Sequence, residues 1–143
     1  MRDAVTVKLG GADYRLLPTF AVVDAFEDRH GSLMGHLHRY MDLTATLPQR
    51  ATLLLEAIRA GYLDEGKSPD RLQMDGIKKV MFEAGYWSDE LIRAEIELCE
   101  RLLYTPEQYT AKKTAREKEH QAQMEAMDLL SAFAPSSEQQ AQP

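Results

Sequence analysis

Large apolar residues alternate with polar ones only near the start of the chain, in VTVKLGGADYRLLPTF. Beyond it they recur three and four positions apart. The alternating stretch is centred on Gly10-Gly11, a pair suited to a two-residue hairpin turn because both central positions of the favoured turn need positive φ. Folding the sequence about that pair sets Leu9 opposite Ala12, Val7 opposite Tyr14 and Val5 opposite Leu16, so the large apolar side chains share one face. On the other face Lys8 meets Asp13. A four-residue loop GGAD would place Lys8 against Arg15, a like-charge pair costing on the order of a few tenths of a kcal/mol, so the tighter turn is expected. Two strands alone are marginal in water, and this hairpin must lay its apolar face on helices.

The three-and-four spacing supplies those helices. Pro18 ends the second strand, and Thr19 is expected to cap a helix burying Phe20, Val23 and Phe26, with Gly31 at its C-terminal end. Ser32 caps a second segment in which Leu33, Leu37, Tyr40 and Met41 recur at helical spacing. Pro48 sits in the first turn of a third, which carries Ala51, Leu54, Leu55 and Ile58 until Gly61 breaks it. A fourth is expected around residues 72–84, with Ile77, Val80 and Met81 inward and Gly85 as its stop. The fifth, SDELIRAEIELCERLL, has the strongest pattern: Leu91, Ile92, Glu95, Ile96, Cys99, Leu102 and Leu103 form one stripe with Glu95 as its polar member. It reads as the central core helix.

Thr105-Pro106-Glu107-Gln108 is a capping box with proline at the first helical position, and it starts one more helix. Its next stretch, TAKKTAREKEHQAQ, holds no large apolar residue and is expected to run through solvent. Apolar residues then return as Met124, Met127, Leu129, Leu130 and Phe133, before Pro135 stops the helix and PSSEQQAQP forms a tail of disordered composition. The expected fold is therefore mainly α. A two-stranded hairpin lies on a compact body of about five helices over residues 1–104, followed by a projecting amphipathic helix over 105–134 and a disordered tail over 135–143.

Composition narrows the function. The 143 residues suit one domain, and 44% apolar with 28% charged residues is ordinary for a globular chain. No apolar run approaches the roughly 20 residues of a membrane helix, and MRDAVTVKLGG lacks the features of a signal peptide, so a cytoplasmic setting is expected. One cysteine, Cys99, leaves no intramolecular disulfide or cysteine-based zinc site, and its apolar neighbours suggest a buried thiol. The formal charge of -6 argues against nucleic-acid binding. Through Tyr104 the chain has 13 Lys and Arg against 17 Asp and Glu, and from Thr105 it has 4 against 6, so neither part is basic.

Candidate chemistry is sparse. His36 and His38 lie about 200° apart around a helix and cannot hold one metal ion together. His30, near a helix C-terminus, is expected to gain proton affinity slightly. Neither a dinucleotide-binding GxGxxG nor a phosphate-cradling glycine loop nor a GxSxG elbow occurs. The acidic groups Asp24, Glu27, Asp28 and Glu95, Glu97, Glu100 read as solvated helix faces paired with Arg. Helix pairs invite a helix-turn-helix reading, but Lys78-Lys79 is the only basic doublet of the body. No catalytic residue, metal or cofactor is expected. The apolar cluster Met124, Met127, Leu129, Leu130 and Phe133 is the candidate contact surface, for a partner or for a second copy, and methionine suits such a surface because it adapts its shape.

The order of these features resembles the tail assembly chaperones of long-tailed phages and gene transfer agents, most closely the small gene-transfer-agent-type group. The matching residues are the strand Val5 to Leu9, Gly10-Gly11, the strand Tyr14 to Leu17, Pro18-Thr19-Phe20, and Glu27 followed by Gly31. The resemblance covers residues 5–61 and, more loosely, 72–103; the long extension after Thr105 departs from the short family pattern. It implies a non-enzymatic protein, free of cofactors, that coats the tape measure protein, helps recruit tail tube subunits in the bacterial cytoplasm, and is not retained in the mature particle. Competing expectations are a permanent virion component, such as a tail tube or head-tail connector subunit, and a small DNA-binding regulator.

Overall fold

Strands β1 (Val5–Leu9) and β2 (Ala12–Leu16) pair antiparallel in the expected register, with Val5 facing Leu16, Val7 facing Tyr14, Lys8 facing Asp13 and Leu9 facing Ala12. Gly10 and Gly11 adopt φ of 59° and 80°, the left-handed values that the tight turn requires. Val5, Val7, Leu9 and Leu16 are buried, while Thr6, Lys8 and Asp13 are exposed, so the alternation sorts the hairpin into a core face and a solvent face. This computed structural model describes residues 2–133. The expected tail over 135–143 lies outside the described residues.

Six helices follow among the described residues: α1 (Phe20–His30), α2 (Leu33–Met41), α3 (Leu47–Asp64), α4 (Met74–Glu83), α5 (Asp89–Leu103) and α6 (Pro106–Phe133). The fold is mainly helical, with the hairpin at its N-terminal end. The chain divides into two compact units, Met1–Pro106 and Glu107–Pro143, and the first holds the hairpin and α1 to α5. Within it β1 packs on α5 and β2 on α3. The Leu17 N–H donates to the Ala57 carbonyl at 3.1 Å, and the Arg15 guanidinium reaches Asp64 at 2.8 Å, fixing the second strand along α3.

The centre of this unit is α3, where α5 was expected. Arg50 through Leu55, Ala57, Ile58 and Gly61 are all buried, so apolar contact surrounds the helix while α1, α4, α5 and β2 flank it. Gly61 does not break this helix. A Cβ there would lie 2.6 Å from the Arg15 carbonyl oxygen, so the glycine is what allows β2 to approach so closely. The helix starts one residue before Pro48, and Thr46 and Gln49 form a reciprocal capping box that the sequence carries as T-x-x-Q.

Other expectations also change. Phe20 is 82% exposed rather than buried: α1 turns Val22 and Phe26 into the core, and Phe20, six positions before Phe26, lies about 120° away around the axis. Thr19 occupies the N-cap position of α1 but its hydroxyl makes no cap bond. Pro18 is buried just before it. Gly31 ends α1 at φ 79°, its N–H donating to the Glu27 carbonyl, while the Glu27 carboxylate accepts from the Leu33 N–H at 2.9 Å. An acid four residues before a glycine thus closes one helix and opens the next. On α2 the buried face is Leu33, His36 and Tyr40, and Met41 is exposed.

Candidate functional site

The cluster expected to make contacts lies at the end of α6. Every residue from 110 to 132 is exposed, and within that run Met124, Met127, Leu129 and Leu130 are 47% to 68% exposed. Phe133 is the last helical residue, and its side chain lies outside the described residues. At about 100° per residue, Ala126, Met127, Leu129 and Leu130 occupy an arc of about 160°, while Glu125 and Asp128 fall outside it. An apolar face this wide is what a helix normally buries against a neighbour. The preceding turns, residues 110–123, have no such face. The structure therefore brings three of the five expected contact residues, Met127, Leu129 and Leu130, onto one face of the helix, and Met124 lies about 60° beyond its edge. The structural positions Gly10, Gly11, Pro18 and Gly31 take the roles described for the turn, the strand end and the helix stop.

A second constellation escaped the sequence pattern. Arg50, Glu95 and His36 are completely buried and Tyr40 is nearly so. The Arg50 Nε and Nη2 donate to the two oxygens of Glu95 at 2.8 and 2.7 Å, and its Nη1 donates to the Tyr86 carbonyl at 2.7 Å. The rings of Tyr86 and Trp87 each lie 4.8 Å from the guanidinium carbon, adding cation-π contacts. Tyr40 donates its hydroxyl proton to Glu95 Oε1 at 2.7 Å, so the 3.0 Å bond between this hydroxyl and His36 Nε2 must use the ring N–H as donor. That fixes the tautomer and leaves Nδ1 as a buried lone pair without a partner.

Electrostatics follow from this packing. Burial is the main reason the His36 imidazole is held down to about 4, with the positive charges of Arg39 and Arg50 adding to it. Burial pushes the Glu95 carboxyl up, opposed by its bonds from Arg50 and Tyr40, and pushes the Tyr40 hydroxyl well above its ordinary value. The solvated-face reading is thus corrected for Glu95 and Glu100, which are buried, while Glu97 pairs with Arg101 at 3.0 Å as the i,i+4 spacing led one to expect. His30 is corrected too. Its proton affinity falls because the ring is partly buried and faces Arg29 and Arg39, which outweighs the helix terminus. Cys99 is fully buried, and burial raises its thiol well beyond the ordinary range.

What this network can do is mechanical. It joins α2, α3, α5 and the turn at Tyr86-Trp87, and the side chains of His36, Tyr40, Arg50 and Glu95 are at most 3% exposed. His36 is buried and His38 exposed, on opposite sides of α2. Among the described residues no group of three or more His, Cys, Asp or Glu side chains is placed to hold a metal ion, and no helix is long and apolar enough to cross a membrane. No family model matches the chain, and neither a curated protein nor a solved structure matches it.

Proposed function

We propose that this protein is a tail assembly chaperone of a phage or phage-like particle, binding the tape measure protein stoichiometrically and without chemistry. The observation that carries the reading is the apolar arc at the end of α6, exposed on a helix whose earlier turns are charged. A chaperone that shields long apolar helices must offer apolar surface while staying in solution. The arc supplies the first property, and the charged turns together with a formal charge of -6 supply the second. Tape measure and tail tube proteins as partners, self-association, a cytoplasmic site of action and absence from the finished particle belong to the same proposal and rest on the resemblance of residues 5–61. Mass spectrometry of purified particles tests it: the chaperone is expected to be missing, and abundant copies in the virion would replace this reading with that of a permanent tube or connector subunit.

A further inference from the structure

The first unit carries its own exposed aromatic ring in an unusual charge setting. Phe82 of α4 is 73% exposed and lines a surface hollow with Leu47 of α3, Lys78, Lys79 and Glu83. The two lysines stand one helical turn before Phe82, and among the described residues neither makes an ion pair. In a chain of formal charge -6, two lysines against the one carboxylate of Glu83 make a local excess of positive charge beside bare apolar surface. Nucleic acid and anionic membrane satisfy the lysines but are repelled by the molecule as a whole. A helix with both an apolar face and acidic groups satisfies the lysines and Phe82 together.

The molecule itself supplies such a helix. Residues 119–133 hold no Lys or Arg; Glu119 lies on the side of the apolar arc and Glu125 stands one turn before Leu129, near its edge, while Asp128 faces away. We infer that the hollow of Leu47, Lys78, Lys79 and Phe82 receives the last turns of α6 from a second copy. This rests on the reading of that segment as a contact surface and adds its seat. Because the contact joins unlike surfaces, each copy offers one donor and one acceptor, which permits reciprocal pairs or growing chains.

Charge exchange in the full chain tests the assignment, with folding of each variant checked by circular dichroism. Sedimentation equilibrium is expected to show concentration-dependent association of the natural chain below about 100 μM. K78E/K79E and E119K/E125K each weaken it about tenfold or more, and a 1:1 mixture of the two variants recovers it, since each then meets opposite charge on the other. F82A weakens it without altering net charge. Association of K78E/K79E equal to that of the natural chain, or a mixture that fails to recover, overturns the inference, as does a natural chain that stays monomeric. If L129E/L130E abolishes association while the K78E/K79E variant keeps it, the end of α6 remains the contact surface and only its seat is wrong. If L129E/L130E changes nothing, both fail.

Discussion

Arg50 and Glu95 neutralise each other in a place where either charge alone would be costly. Glu95→Ala is expected to destabilise the first unit by about 3–5 kcal/mol, because it strands a buried guanidinium. Replacing both residues, as Arg50→Met with Glu95→Leu, is expected to cost less than the two single changes summed, by more than about 1 kcal/mol, as read from urea unfolding. His36 adds a pH dependence. The unfolded chain takes up a proton as pH falls through the ordinary value of 6.5, whereas the buried ring waits until about 4, so stability is full above the first value and declines between them. Between pH 7 and pH 5 this amounts to a loss of about 2 kcal/mol. His36→Gln is expected to flatten that decline, and an unchanged pH profile would contradict the assignment. Glu95 was visible as the one polar member of an apolar stripe, but its partner was not. Arg50 stands 45 residues away, and nothing local distinguishes it from a solvated arginine.

At the scale of elements, two glycines on helices separate local preference from packing. Gly76 on α4 has open space around it, so Gly76→Ala is expected to stabilise by about 0.5–1 kcal/mol through helix propensity. Gly61 on α3 offers the same gain in propensity, but its new methyl would press on the Arg15 carbonyl at 2.6 Å. Overpacking of about 1–3 kcal/mol outweighs the gain, and Gly61→Ala is expected to destabilise; equal effects at both sites in denaturant melts would refute the close-approach account. The same contrast explains what the sequence revealed. The hairpin register was legible because turn chemistry and alternation are local and agree. Gly61 read as a stop because a close approach to a strand 46 residues earlier leaves no local trace, and Phe20 read as core because apolar spacing alone does not say which side of a short helix faces inward.

For the whole molecule, the division after Pro106 separates a unit with its own core from a helix exposed from residue 110 to residue 132. Ending the chain at Gln123 is therefore expected to leave the stability of the first unit within about 0.5 kcal/mol of its original value, since residues 124–132 are exposed. The candidate surface was legible in sequence for the same reason that the tail helix is exposed: a long run without apolar residues, followed by a cluster of them, has only one unsatisfied segment. What that segment would hold in the proposed role depends on the partner, which this chain's residues encode only as shape and charge. For the proposed chaperone role, the most direct measurement is co-expression of the proposed client, a tape measure protein, with the full chain or with the chain ending at Gln123, followed by assay of the soluble fraction. Soluble complex with the full chain and aggregated client with the shortened one is the predicted result. Equal solubility with both would contradict a working role for the end of α6.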